Sequence, residues 1–428
     1  MRRRILFTLG IMVVYRLGAH IPVPGINSEA LQSAMQGFAN TLLGLYDMFS
    51  GGAFAQATIF ALGIMPYISA TIILQLLGAA VPYFQRLQKE GEEGRRKMTQ
   101  LGRYGTVLIS MVQAWSVAIF LQGLDTPLGS VVLFPGLGFQ MMTVLTLVTG
   151  TIFIMWLGEQ ITEHGIGNGI SIIIMIGIVA RIPTVFFNEI TLINQQLRNI
   201  LLDVVLLLVM ILIIAAVVAV TQGARRIPVQ YAKRIVGRKV YGGQSTHIPL
   251  RINMAGVMPI IFAQAIMFIP NSVAAFFGES AMVQGLMTWF SIDHPFYWFL
   301  FGMMIIFFTY FYTAIAFNPV DVADNMKKQG GFIPGVRPGK KTAEYIDNIL
   351  TRVTLPGSIF LAMVAVFPYL LMNATGINYD LASFFGGTSL LIIVSVSLDT
   401  LQQVESHLLM RHYDGFLKGG RIRGRRRF

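Results

Sequence analysis

The sequence contains no cysteine and few charged residues. The 428 residues include no Cys and six His, which excludes disulfides, iron–sulfur clusters and thiol nucleophiles and leaves little for a structural zinc. Charged residues make up 12% of the chain, whereas soluble globular domains contain about 25%. The motifs HExxH and GxSxG are absent, and the string GVRPGKKT (335–342) lacks the spacing of a phosphate-binding loop. We therefore expect no catalytic residues, no metal and no cofactor.

Hydrophobic residues, in contrast, make up 54% of the chain, and they cluster in long stretches. A helix that spans a bilayer needs about 20 apolar residues. Such stretches lie at residues 5–21, 58–81, 104–124, 141–157, 170–187, 201–220, 255–277, 296–317, 354–372 and 381–400. The pattern predicts an all-α polytopic membrane protein with ten transmembrane helices.

The basic residues fall on one side of these spans. Of the 32 Lys and Arg residues, 29 lie in the N-terminus, the C-terminal tail and three loops between alternate spans. Only Arg181 and Arg198 are assigned to the opposite face, and Arg16 lies inside the first span. Because Lys and Arg mark cytoplasmic loops, both termini are predicted to be cytoplasmic. The first span also resembles a signal-peptide core, but no small-residue cleavage site follows it.

Several spans contain residues that interrupt helices. Gly63 and Pro66 lie in the second span, and Gly256 and Pro259 lie in the seventh. The segment 42–56, which lies just before the second span, is too polar and glycine-rich to cross a membrane. Irregular backbone at membrane depth requires surrounding protein or a water-filled cavity. The pattern predicts a cavity, with segment 42–56 forming either a short helix inside it or an ordinary extracytoplasmic loop.

Titratable residues are scarce where an ion-coupled carrier would need them. Glu159, Asp203 and Asp399 lie near the ends of spans, and no Asp, Glu, Lys or His lies clearly at mid-membrane. This distribution favours a passive conduit over a pump. The glycine run GIGNGIS (165–171) predicts a tight turn between the fourth and fifth spans rather than a nucleotide-binding loop.

Two basic loops, 224–256 and 317–347, are about 30 residues long and exceed most connections in length. Their interleaved Tyr, Pro and Gly residues predict ordered hairpins. Membrane topology alone explains their charge. Their length and aromatic content also favour a docking surface for a cytoplasmic partner, and their charge would attract a phosphate backbone.

Six strings of the sequence resemble the bacterial SecY family over nearly the whole chain. These strings are ALGIMPYISATIILQLL (61–77), KEGEEGRRKMTQLGRYGT (89–106), MWLGEQITEHGIGNGISIII (155–174), YAKRIVGRKVYGGQSTHIPLRINMAGVMP (231–259), FNPVDVADNMKKQGGFIPGVRPGKKT (317–342) and FGGTSLLI (385–392). Members of the family form the pore of the protein-conducting translocon. The sequence differs from the family's pattern in the extracytoplasmic loops, the sixth span and the C-terminal tail.

The resemblance implies an architecture and a function. Ten helices would form two inverted five-helix halves around a central pore, at residues 1–190 and 200–428. A plug at 42–56 would close the pore, and the chain would also carry cytoplasmic loops at 224–254 and 318–348 and a basic tail at 403–428. The expected activity is protein translocation by the Sec pathway: unfolded secretory proteins cross the bacterial inner membrane, and apolar segments leave sideways into lipid.

The resemblance also implies roles for particular residues. The aliphatic pore ring corresponds to Ile64, Ile68, Ile170, Ile174, Ile261 and Ile392. The polar cluster of the lateral gate corresponds to Ser69, Gln113 and Asn253, and the plug includes Leu42, Tyr46, Phe49, Gly51 and Gly52. The residues expected to dock cytoplasmic partners are Arg234, Arg238, Lys239, Arg337 and Lys340.

The partners that the resemblance implies are the small membrane subunits SecE and SecG, the SecA motor ATPase, the ribosome with its RNA, the translocated substrates and the membrane lipids. Two other functions are compatible with the residues alone. A secondary transporter or small-molecule permease would also have interrupted spans and two halves. A membrane anchor for a cytoplasmic complex would explain the basic loops but not the interruptions.

Overall fold

The computed structural model describes residues 2–36, 42–126, 129–196, 200–231, 234–236, 239–241, 245–277, 285, 288–292, 294–377 and 379–419. The helices, numbered here in chain order, are α1 (Arg2–Gly18), α2 (Ser28–Gln36), α3 (Leu42–Ser50), α4 (Met65–Ala80), α5 (Pro82–Lys89), α6 (Glu92–Gln122), α7 (Leu137–His164), α8 (Gly169–Asn194), α9 (Ile200–Gln222), α10 (Met258–Phe277), α11 (Pro295–Ala316), α12 (Pro319–Lys328), α13 (Lys340–Thr375), α14 (Tyr379–Phe385) and α15 (Gly387–Gly419). The strands are β1 (Asp125–Thr126), β2 (Gly129–Ser130), β3 (Ala224–Tyr231), β4 (Arg234–Val236), β5 (Lys239–Tyr241), β6 (Ser245–Arg251) and β7 (Gly331–Phe332).

Each of the ten apolar stretches contains a helix: α1, α4, α6, α7, α8, α9, α10, α11, α13 and α15. Within the described residues, seven helices are long and apolar enough to cross a membrane without help from a neighbour. The pair α4 and α5 would make an eighth span, although the two helices meet at a bend of 103°. Both α1, with 17 residues, and α4, with 16, are short for a span.

The second and seventh spans begin later than the hydropathy predicts. Helix α4 starts at Met65 rather than near residue 58, and α10 starts at Met258 rather than 255. In each case a glycine with positive φ, Gly63 at +56° or Gly256 at +62°, stands two residues before the helix. A proline is then the second helical residue, where its missing N–H costs no hydrogen bond. The motif Gly-x-Met-Pro thus occurs twice with the same geometry.

Three helices extend well beyond the apolar stretches that predicted them. Helix α6 begins at Glu92, α13 begins at Lys340, and α15 continues to Gly419, so most of the predicted basic tail is helical. Hydropathy detects only the apolar part of such a helix, whereas Glu, Lys and Arg are good helix formers in water. The first turns of α6 carry the ion pairs Glu92–Arg96 and Glu93–Lys97, at 3.5 and 3.2 Å.

The basic loop 224–254 forms the predicted hairpin. Strand β3 pairs antiparallel with β6, from Ala224 opposite Arg251 to Gln230 opposite Ser245, and β4 pairs with β5. Alternate residues of β3, Ile227 and Val229, are buried against a small core. The second loop, 318–348, differs from the hairpin expectation because it contains α12, the single short strand β7 and the beginning of α13.

Two buried threonines of α11 are satisfied within their own helix. Thr309 and Thr313 of α11 donate their hydroxyls to the carbonyls of Ile305 and Thr309, at 2.7 and 2.6 Å. Such bonds within a helix give each hydroxyl a hydrogen-bond partner, so the group is not left unpaired in an apolar medium. Asn168 accepts from the backbone N–H groups of Ile170 and Ser171, so α8 begins within the glycine run. The predicted tight turn between α7 and α8 is therefore confirmed.

Candidate functional site

Two polar cavities lie at opposite ends of helix α8. One, of about 380 Å³, is lined by the N-terminal residues Asn168 and Ser171 of α8 together with α15. The other, of about 450 Å³, is lined by α1, α3 and the α8 residues from Ala180 to Asn188. About 14 Å of helix separates Ser171 from Ala180, since each residue rises about 1.5 Å. The α8 residues Ile172, Ile173 and Ile174 between the cavities are buried. Two cavities with polar linings are thus separated along α8 by a buried apolar stretch.

The six isoleucines of the expected pore ring belong to the same apolar core. Ile170 is half-buried. The other five are at most 3% exposed: Ile64, Ile68, Ile174, Ile261 and Ile392. Ile64 is the N-cap residue of α4 rather than part of the helix, but its carbonyl accepts from the Ile68 N–H at 3.1 Å. The two side chains therefore stay about one turn apart. The same core contains many other residues, so the ring assignment remains a prediction.

Segment 42–56 forms the short helix that was one of its two predicted conformations. Helix α3 covers Leu42–Ser50, and its last four residues are buried. The Tyr46 hydroxyl donates to the Leu62 carbonyl at 2.8 Å, and its ring packs edge-on against Phe268 of α10 at 5.2 Å. The hydroxyl of Ser383, on α14, lies 3.3 Å from the Met48 sulfur. Helix α3 therefore contacts Leu62, which lies shortly after it in the sequence, and the much later helices α10 and α14. The side chain of Leu42 lies outside the described part of the chain.

The residues that follow α3 pack closely against α1 and α8. Tyr15 donates its hydroxyl to the Ser50 carbonyl at 3.3 Å, and Arg16 donates to the Gly51 carbonyl at 3.2 Å. Gly51 has a φ of +70° and faces Gly177 of α8 so closely that an added Cβ would lie 2.7 Å from the Gly177 Cα. Only glycine fits both the conformation and the space.

Gly51→Ala should displace α3 and raise the resting ion conductance of the reconstituted protein, because the new methyl group collides with backbone that cannot move aside. Gly52→Ala is the matched control: Gly52 has a φ of +89°, but nothing lies within 4 Å of an added Cβ. Both variants carry the strain of a left-handed residue, roughly 1 kcal/mol. Only the first adds the collision. Equal conductance of the two variants would contradict the importance of the close contact.

An ion pair that the sequence did not predict joins α3 to α8. Arg181 was assigned to an extracytoplasmic loop, but it lies within α8, and its Nη1 is 3.1 Å from Oδ2 of Asp47. The assignment of Arg181 to a loop is therefore wrong. An available signal was the single acidic residue in the otherwise uncharged segment 42–56.

Of the three polar residues expected at the lateral gate, Ser69 lies in α4, Gln113 lies in α6 and Asn253 lies in the segment between β6 and α10. Asn253 is buried and donates its amide to the Gly256 carbonyl at 3.1 Å, whereas Ser69 and Gln113 are half-buried. Within the described residues no hydrogen bond joins these three side chains to one another. Helix α10 packs against both α4 and α6. The contact between α4 and α10, called the seam below, is thus formed by helix packing. A role of the three polar side chains in holding it shut remains a prediction.

The expected docking residues lie on the basic loops. Arg337 and Lys340 are exposed just before and at the start of α13, and the Thr342 hydroxyl donates to the Arg337 carbonyl at 2.8 Å. The backbones of Arg234 and Lys239 lie in β4 and β5, but their side chains, like the whole of Arg238, lie outside the described residues. Among the residues that are described, no cluster of His, Asp and Glu has the arrangement of a metal site.

The sequence matches a known family model. The model of the SecY family covers residues 58–401. The chain belongs to the SecY family. It is 45% identical to the protein translocase subunit SecY of Escherichia coli K12, over 99% of this chain and 95% of that protein. The corresponding protein of Aquifex aeolicus is 44% identical, over 98% of this chain and 97% of its own length.

Solved structures support the same architecture. A protein-conducting channel superposes with a TM-score of 0.65 at 17% identity and covers 99% of this chain and 95% of its own. Sec61 in a canine ribosome–channel complex gives a TM-score of 0.61 at 15% identity, with the same coverage of both chains. The SecY-family resemblance and the predicted fold of ten helices in two halves are therefore confirmed.

Proposed function

We propose that this chain is the pore-forming subunit of a Sec translocon, which passes unfolded secretory proteins across the bacterial inner membrane and releases apolar segments sideways into lipid. The observation that carries the proposal is the 45% identity to the Escherichia coli translocase subunit over 99% of the chain. Two cavities with polar linings, separated along α8 by buried isoleucines, are consistent with such a path.

The chemistry of the proposed pore ring suits a polypeptide of any sequence. Aliphatic side chains offer no hydrogen bonds, so no particular substrate is held, and an apolar constriction limits ion leakage by dewetting. The pore ring would comprise the six isoleucines named above, and α3 with Gly51 and Gly52 would be the plug. Apolar segments would leave between α4 and α10 because lipid receives them more favourably than water does. The protein supplies a path and not energy, and it performs no catalysis of its own.

The same proposal assigns the topology and the two halves. Both termini would be cytoplasmic, since 29 of the 32 Lys and Arg residues would then face the cytoplasm. Residues 1–190 and 200–428 would form the halves. The Gly-x-Met-Pro motif supports this division, because it occurs at the start of the second span of each half, α4 and α10. The glycine of the motif, Gly63 or Gly256, has a positive φ in both places.

Partners would supply the driving force. The basic loops, with exposed Arg337 and Lys340, would dock the SecA motor and the ribosome with its RNA. SecE and SecG would pack against the lipid-exposed helices. Helix α9 is a candidate surface for lipid or a small subunit, since it is the most apolar span and few of its residues are buried.

Reconstitution tests the proposal. Proteoliposomes that contain this chain, SecE, SecG, SecA and ATP should import a secretory precursor and protect it from external protease. Omission of SecA should abolish the protection. A saturable uptake of small solutes by the chain alone, without precursor import, would instead establish the permease alternative.

Arg337→Glu should reduce SecA-dependent transport about tenfold, the effect of roughly 1.4 kcal/mol on a binding equilibrium. The physical reason is charge reversal in an exposed loop, which disturbs a docked partner but not the membrane-embedded helices. Precursor transport and SecA ATPase stimulation would be measured. Arg86→Glu makes the same charge change at an exposed position of α5 and should retain most of the activity. Equal transport by the two variants would remove Arg337 from the docking surface.

A further inference from the structure

Asp47 and Arg181 form an ion pair at the boundary between α3 and the wall of the extracytoplasmic cavity. The Arg181 Nη1 lies 3.1 Å from the Asp47 Oδ2, and the two side chains are 20% and 9% exposed. The second carboxylate oxygen of Asp47 accepts from the Ala55 N–H at 2.7 Å, which closes the turns after α3. One carboxylate thus stabilises the fold of the segment and its attachment to α8.

The surroundings of the pair favour an attachment that can be undone. Asp47 and Arg181 both line the 450 Å³ cavity, together with Arg16 and His20. If α3 left this position, both charges would enter the water of the cavity, so separating them as a pair would not leave either in an apolar medium. Removing only one partner is different, because the other would then remain desolvated without compensation while α3 is in place.

The charge balance makes Asp47 the important member. It is the acidic side chain lining this cavity, whereas Arg16, Arg181 and His20 are basic. Arg16 of α1 already donates to the Gly51 carbonyl at 3.2 Å, so arginines of α1 and α8 both bond to this segment. Loss of the Asp47 charge would remove the carboxylate that lies among the basic side chains of the cavity lining.

We propose that the Asp47–Arg181 ion pair is a latch that determines how often α3 leaves the pore of the resting channel. The two residues position the seal and do not touch the constriction itself. This inference rests on the proposed function, because it takes α3 as the plug.

A double-mutant cycle in the reconstituted complex with SecE and SecG tests the latch. The variants are Asp47→Asn, Arg181→Gln and the two combined, and the measurement is open probability in planar bilayers without substrate. Each single variant should raise open probability about tenfold, which is less than the loss of one partner of a fully buried ion pair produces, because both side chains border the cavity. The combined variant should open no more often than either single variant, because the two residues act through one interaction.

Two controls separate the latch from general destabilisation. Glu159→Gln breaks the ion pair of Arg103 with Glu159, at 2.8 Å between α6 and α7, and should leave the resting open probability unchanged. Arg181→Lys keeps the charge and should stay within about twofold of the parent protein, whereas a role in packing alone would give the same rise as Arg181→Gln.

The outcomes are distinguishable from those of the proposed function. Single variants that open no more often than the parent, or effects that multiply in the combined variant, would overturn the latch. Precursor import by the parent protein is a separate measurement, and its absence would overturn the translocon while the conductance cycle could still be read. The melting temperature of each purified complex identifies any variant that fails to fold.

Discussion

Oxidation of a variant carrying Ser69→Cys and Asn253→Cys should stop precursor transport, and reduction should restore it. Ser69 lies in α4, and Asn253 lies in the segment that leads into α10, the helix that packs against α4. A disulfide there prevents these helices from separating, so a substrate that must open the seam cannot enter. Bridging requires Cα atoms within about 7 Å, and neighbouring positions on the same helix faces are substitutes where the geometry is unsuitable. The chain has no cysteine of its own, so no background bond forms.

A disulfide inside one half provides the control. A Cβ added at Gly302 of α11 would lie 4.0 Å from the Cβ of Ala362 on α13, which is a suitable spacing for a disulfide. Oxidised Gly302→Cys with Ala362→Cys should therefore transport normally, because α11 and α13 lie in the same proposed half. Full transport by a sample that is quantitatively cross-linked across the seam would eliminate sideways opening and favour a channel that opens only along its axis.

Replacing Ile68 and Ile392 with glycine should raise the ion conductance of the resting channel severalfold. Both side chains are almost fully buried in the apolar core, at 3% and 0% exposed. Their removal widens and wets an apolar constriction, and the energetic barrier to a hydrated ion falls as water enters. Planar-bilayer current without substrate is the measurement.

The matched control for this variant replaces buried neighbours outside the ring. Ile72→Gly on α4 and Leu391→Gly on α15 remove similar volumes from residues that are 2% and 0% exposed. Each also carries the cost of glycine in a helix, about 1 kcal/mol. If the controls conduct as strongly as the ring variant, the conductance reflects loosened packing and the ring assignment is wrong.

The positions of the spans could be predicted from the sequence because the bilayer imposes a minimum length of apolar residues. Their ends could not, since helices such as α6 and α13 continue as charged helices into water, where hydropathy carries no information. Hydropathy also misplaced the start of α4, in this case because it extended the predicted helix over apolar residues that are not helical. Residues 58–64 are apolar but form turns, because Gly63 takes a left-handed conformation.

Less of the candidate site than of the fold could be predicted from the sequence. Helical spacing places Ile170 and Ile174 on one face of α8, but it does not reveal what that face meets, so only the family resemblance singled out the ring. The Asp47–Arg181 pair joins residues more than 130 positions apart, and no local pattern encodes such a contact. The conformation of Gly51 was likewise hidden, because the close approach of Gly177 is a property of the packed helices.

The contacts of α3 have a consequence for the order of events during opening. Towards α1 and α8 the helix is held by an ion pair, by hydrogen bonds from Tyr15 and Arg16 and by close backbone packing. Towards α10 and α14 it has a ring contact of Tyr46 and a weak bond from Ser383 to the Met48 sulfur. If the proposed halves part, we expect the weaker contacts to break first and α3 to travel with residues 1–190. A substrate segment that opened the seam would then loosen the axial seal in the same movement, and we expect insertion into lipid and passage across the membrane to begin from one shared intermediate.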